Sequence, residues 1–225
     1  MVHVRTWLLI GFTILMLGCS QGPVVKATKF TSYEDFTQGP EGGVDLVWAK
    51  FGLRDPQRLQ QKLAQYDSII IDQVFVVTDE NSIDDQDVKE LTRYLVDRIK
   101  HTISPYKRVV DTQSDTTLRL SIALSNVETP NPILAVTSSV LPFGLAISTI
   151  SKVTTGEHTN VGSASVELLV SDSKNGQPLF AAIDRQSGNK DFSTMIDSLD
   201  DAKDAINFWI ERLAVTLDRW QHPNS

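Results

Sequence analysis

Two long stretches of the chain place an apolar side chain every three or four positions, the spacing that lays one stripe along a helix. In residues 82–103 the stripe is Val88, Leu91, Leu95 and Ile99. Ser82 with Asp85 has the form of a capping box. Asp84, Asp85 and Asp87 crowd the first turns, Lys100 and His101 the last, as the helix dipole favours. Ser104-Pro105 stops the pattern. In residues 198–220 the stripe is Ala202, Ile206, Trp209, Leu213, Leu217 and Trp220, and Ser198 with Asp201 repeats the cap. A shorter helix opens at Asp55-Pro56, because Asp accepts from free amides and Pro suits the first helical position. Leu59, Leu63 and Tyr66 fall on its inner side.

Elsewhere the pattern has period two or is continuously apolar. Residues 69–78 (IIIDQVFVVT) are dense in β-branched and aromatic side chains and read as a buried strand. Residues 106–110 form a short strand. Leu118, Leu120, Ile122 and Leu124 alternate with Arg119, Ser121, Ala123 and Ser125, the mark of a half-buried strand. Val166, Leu168 and Val170 keep that rhythm, as do Leu179, Ala181 and Ile183, and Asn175-Gly176 between them signals a hairpin. The expected fold is a two-layer α+β domain. It has a mainly antiparallel sheet of about five strands, with two long amphipathic helices on one face.

Composition narrows the function classes. The chain has 225 residues, 41% hydrophobic and 22% charged, enough for one core in residues 44–225. Its net charge of −7 opposes a phosphate backbone, so no nucleic-acid partner is expected.

The first residues do not belong to that core. After a weakly basic start at His3 and Arg5, residues 7–17 (WLLIGFTILML) are almost wholly apolar. They are too short for the roughly 20 residues of a membrane span and fit the core of a signal peptide. Met16-Leu17-Gly18-Cys19 follows and resembles the bacterial lipobox. The resemblance implies cleavage between Gly18 and Cys19, a diacylglyceryl thioether on Cys19 and an acylated amino group. Met16 stands where Leu is usual. Ser20, where Asp would retain a lipoprotein at the inner membrane, implies the outer membrane by the same resemblance. The expected organisation is a signal peptide over residues 1–18, a lipid-anchored tether over 19–43 with extended pieces lying against the body, and a single periplasmic domain over 44–225. Cys19 is the sole cysteine, so its acylation leaves no thiol for other chemistry. The covalent lipid is the only non-protein group expected.

Catalytic motifs are absent from the sequence: no His-Glu-x-x-His, Gly-x-Ser-x-Gly, Walker loop or Cys pair. No catalytic or metal-binding residues are expected. His101, His158 and His222 are far apart, and a zinc site needs three or four converging ligands. The acidic run Asp79, Glu80, Asp84, Asp85, Asp87 lacks the Gly and the distal Glu of a calcium loop, and helix capping accounts for it. Asp172 to Gly176 has the wrong ligand spacing and reads as a turn. Arg93, Arg98, Lys100, Lys107 and Arg108 gather at the end of the first long helix. They either form a solvated surface or meet anionic headgroups or a partner.

Residues 129–151 carry no charge and are interrupted by Pro130, Pro132 and Pro142. The prolines and hydroxyl residues argue against a membrane helix. Either the segment is a loop covered by the body, or it is an exposed apolar flap that meets a membrane or another subunit. In the second case its contact residues are Ile133, Leu134, Val136, Leu141, Phe143, Leu145 and Ile147.

Taken in order, several pieces resemble the proteobacterial lipoproteins grouped as domain of unknown function 3313. They are the lipobox at Cys19, the strand over residues 66–77, Tyr106-Lys107-Arg108-Val109-Val110, Thr117-Leu118-Arg119-Leu120, residues 166–173 (VELLVSDS), Gly176 to Arg185, and the last helix with Trp209. The resemblance implies a lipoprotein and no known reaction. More distantly, the element order looks like the periplasmic domains of curli-type secretion lipoproteins and of outer-membrane activators of peptidoglycan synthases. The resulting expectation is an outer-membrane lipoprotein serving as a non-catalytic adaptor, with its membrane and an envelope protein as partners. The alternatives are an oligomeric secretion or pore-forming subunit, and an envelope hydrolase, which would need a converging nucleophile and base.

Overall fold

The computed structural model describes residues 35–78, 85–125, 150–154, 163–187 and 199–221. The strands are β1 (Thr37–Gln38), β2 (Leu46–Ala49), β3 (Ser68–Thr78), β4 (Arg108–Val109), β5 (Thr117–Ser125), β6 (Ile150–Thr154), β7 (Ser163–Asp172) and β8 (Pro178–Ser187). The helices are α1 (Pro56–Leu63), α2 (Asp85–Ile103) and α3 (Leu199–Gln221).

These eight strands belong to one sheet, in the order β1-β2-β8-β7-β5-β3-β4, with β6 also paired to β3. β5, β7, β8, β2 and β1 pair antiparallel, whereas β3 runs parallel to β4, β5 and β6. This corrects the expected antiparallel sheet of about five strands with two helices: the sheet is mixed, has eight strands among the described residues, and is accompanied by three helices. The reason lies in the connection. Over its 19 residues, α2 rises about 28 Å, which returns the chain to the start of β3 before β4 and β5 begin. They therefore run in the same direction as β3. Alternation of side chains is identical in parallel and antiparallel strands, so the pattern carries no direction.

One face of the sheet holds Ile69, Ile71, Val74, Leu118, Leu120, Ile122, Val166, Leu168, Phe180 and Ala182. These form a single buried cluster with Leu59 of α1, Leu91, Leu95 and Ile99 of α2, and Ile206, Trp209 and Leu213 of α3. The two helical stripes read from the sequence thus meet each other and the sheet. The opposite face is also buried at its centre. Every residue of β5 is buried, including Arg119, Ser121 and Ser125, so β5 is not half-exposed as its alternation implies. The register shifts between Ile71 and Gln73, leaving Asp72 as an extra residue. The bulge re-aims that carboxylate, and it forms a buried ion pair with Arg119.

Residues 35–43 complete the edge of the sheet. Gly39 N–H donates to Asp45 O (2.8 Å) and Gly43 N–H to Pro40 O (2.9 Å). At Gly43 a Cβ would stand 2.5 Å from Thr216 Oγ1, so the turn approaches α3 too closely for any side chain there. Val44 N–H donates to the same Thr216 Oγ1 (3.0 Å), and Arg212 of α3 pairs with both Asp45 and Asp184.

Candidate functional site

The α1 segment begins as its sequence requires. Asp55 Oδ1 accepts from Arg58 N–H (2.9 Å), and Pro56 occupies the first turn. Leu59 turns inward and is buried, and Leu63 is half-buried. The chain then passes through Tyr66, whose hydroxyl donates to Asp172 Oδ2 (2.7 Å) and so ties the end of α1 to the β7–β8 turn. Asp172 Oδ1 also accepts from Lys174 N–H (2.9 Å) and Asn175 N–H (3.1 Å). Burial would raise the Asp172 carboxyl, but the Tyr66 hydrogen bond and the two amides outweigh it and hold it low. Burial, with the same contact, holds the Tyr66 phenol above its ordinary range.

The end of α2 meets the end of α1. Tyr106 and Lys107 N–H both donate to Ile103 O (2.8 and 3.0 Å), closing α2. This turn aims Lys107 Nζ at the last carbonyls around α1. It donates to Leu63 O (2.9 Å) and to Tyr66 O, where the helix dipole favours a cation. Burial lowers the Lys107 ammonium's affinity for its proton, partly offset by the charge of Asp67. Asp67 itself is held below the usual carboxylate range by hydrogen bonds from Ser68 and Thr116 and by Arg108, its ion-pair partner at 2.7 Å.

Between α1, the ends of α2 and α3, and the sheet lies a cavity of about 280 Å³. Leu63, Ile103, Leu120, Val170, Leu217 and Trp220 are among its apolar walls, and Gln60, Tyr106 and Lys107 contribute its polar positions. Phe180 and Trp220 meet edge to face at 4.0 Å between centroids and brace the wall formed by α3. For comparison, an apolar cavity of about 150 Å³ admits benzene, and ligand pockets generally begin near ~300 Å³. A second void beside Asp184 and Trp209 measures only about 10 Å³, the scale of one water.

Other charged groups serve as ties between elements. Arg212 Nε donates to Asp184 Oδ2 (2.7 Å), and Arg185 N–H donates to Asp45 Oδ2 (2.9 Å). Burial raises Asp184 to about 6; the Arg212 hydrogen bond pulls down and the Asp45 charge adds to the rise. Lys203 Nζ pairs with Glu90 at 2.8 Å, joining α3 to α2.

Of the residues singled out in the sequence, Gly18, Cys19 and the contact segment from Ile133 to Ile147 lie outside the described residues, as do His158, His222, Asp79, Glu80 and Asp84. Asp85 and Asp87 stand in the first turn of α2 and His101 in its last. The basic cluster divides. Arg93 and Arg108 are exposed, whereas Lys107 turns to the cavity wall. The cavity itself has no sequence signature, since it is a shortfall of volume between three helices. Among the described residues no group of His, Cys, Asp or Glu could hold a metal ion, and no helix is long and apolar enough to cross a membrane.

The model of one protein family, described as "Protein of unknown function (DUF3313)", matches residues 28–213, from ahead of β1 into α3. The chain belongs to this family. A search of the curated proteins finds no match. Among solved structures, the chain is similar to a dodecamer of a PelC variant from Paraburkholderia phytofirmans. The two are 13% identical, with a TM-score of 0.29, over 67% of this chain and 92% of that one. Overlap at this level carries no argument about assembly or activity.

Proposed function

We propose that this DUF3313 member is a lipoprotein anchored to the outer membrane through acylated Cys19, with a periplasmic body that acts as a non-catalytic adaptor. The observation that carries the reading is the run WLLIGFTILML leading into Leu17-Gly18-Cys19. A single acyl chain holds a protein to a bilayer only marginally, at about 0.8 kcal/mol per buried methylene, and two or three chains hold it firmly. The charged pairs of the body, Arg119 with Asp72 and Arg212 with Asp184, join strands and helices to one another. In this reading the charge-free segment around Leu145 is the contact surface. Leu145→Asp weakens crosslinking to an envelope partner while the melting curve of the body stays unchanged.

The test is membrane separation on a density gradient. The wild-type chain bands with the outer membrane, and Cys19→Ser leaves that fraction. A Cys19→Ser protein that still bands there would overturn the proposal.

A further inference from the structure

We propose that the cavity between α1, α3 and the sheet is a binding site for the single alkyl chain of a carboxylate amphiphile, a free fatty acid, with its head on Lys107. Two independent features converge on that ligand. The space is mostly apolar, with Leu59 and Leu63 of α1 and Leu213 and Leu217 of α3 among its walls. A cavity of about 280 Å³ exceeds a benzene-sized void nearly twofold and suits an alkyl chain of medium length. The second feature is the placement of charge. Among the described residues, Lys107 is the cation that lines the cavity, and no carboxylate lines it. Its Nζ donates to two neutral carbonyls, Leu63 O and Tyr66 O. An ammonium carries three donors, so one N–H remains for a ligand. A carboxylate there gains a charge-assisted hydrogen bond in a half-desolvated setting, and it neutralises a cation that burial disfavours.

One wall of the site, α1, is lightly held. This helix has eight residues and buries fully only Leu59. It is entered through Phe51, which is 89% exposed, and Gly52, whose φ is +90° with open space where a Cβ would lie. A short helix with so little buried surface opens at low cost.

The site does not depend on acylation of Cys19, and the experiment separates the two. The full chain is placed in phosphatidylcholine vesicles with a dodecanoate analogue bearing a diazirine and an alkyne, irradiated, and digested. Light-dependent labelling is expected on the peptides containing Leu59–Leu63 and Leu213–Trp220. Excess dodecanoate competes about tenfold better than dodecanol, the scale of one charge-assisted hydrogen bond. Lys107→Met reduces that preference to about twofold or less, and Lys107→Arg retains most of it. Filling the space with Leu217→Trp lowers the labelling about fivefold or more, and Leu63→Phe does the same by a second route. Circular dichroism confirms that each variant is folded. Cys19→Ser leaves labelling intact. Labelling spread over the surface, equal competition by dodecanol, or loss of labelling in Cys19→Ser would overturn the proposal, the last by making the anchor's own chain the occupant.

Discussion

Arg119 and Asp72 are each less than a tenth exposed, and the carboxylate comes from a bulge in the neighbouring strand. Removing Arg119 leaves the Asp72 carboxylate buried without its ion-pair partner. Arg119→Ala is expected to cost about 3–5 kcal/mol in urea unfolding. Replacing both with apolar residues, Asp72→Leu with Arg119→Met, costs much less than the sum of the single changes. Additive costs would mean that the two charges are not coupled. Asp184 makes a different prediction because its folded pKa lies at about 6, above the ordinary value of 3.8. The folded state holds this proton more tightly than the unfolded chain does. The contribution is therefore fully present below pH ~3.8 and is lost as pH rises through ~6. Asp184→Asn, which cannot ionise, flattens the stability profile between pH ~4 and ~6 and gains relative to wild type toward neutrality, by no more than about 3 kcal/mol. An unaltered slope in that window would assign the titration to other groups.

At the scale of elements, α1 is the helix with the fewest buried residues described, Leu59 alone. Its cap is local and its inner face shallow, so Asp55→Ala costs roughly 1 kcal/mol of helix stability. Hydrogen exchange should show the amides of α1 opening faster, with β5 and β7 unaffected. Faster exchange throughout the sheet would contradict the separate behaviour of this helix. The same helix shows what a sequence makes legible. Asp55-Pro56 announces its start because capping acts between neighbours, and the stripes of α2 and α3 are legible because each covers one face. Asn175-Gly176 announces a reversal, and Gly176 does take a positive φ of 66°. The loop is nonetheless longer than a two-residue turn, because the Asp172 side chain organises it from the end of β7. Other features depend on partners distant in sequence. β1 and β2 span two and four residues, too short for any period to show. β5 reads as half-exposed because alternation reports polarity, whereas its central place in the sheet decides burial. The direction of β4 and β5 follows from the crossover that α2 makes, which no strand encodes. Lys107 is visible in the sequence as one of five cations, but the carbonyls it meets lie 44 and 41 positions earlier, at the end of α1 and just beyond it.

For the whole molecule, two tasks are divided along one chain in the proposed reading. The sheet, with Arg119 and Asp72 locked inside it, gives a rigid plate, and the three helices packed on it enclose a small apolar space. Ahead of that plate the sequence supplies an apolar run over residues 7–17, a single cysteine and a largely polar stretch leading to β1. Family membership begins at residue 28, beyond the cysteine, so the anchor needs evidence of its own. Mass spectrometry of the amino-terminal peptide from the purified membrane protein supplies it. The account predicts a mature chain that starts at Cys19, with a diacylglyceryl group on sulfur and a third acyl group on nitrogen. A chain that retains residues 1–18, or one that carries a free thiol at Cys19, would contradict it.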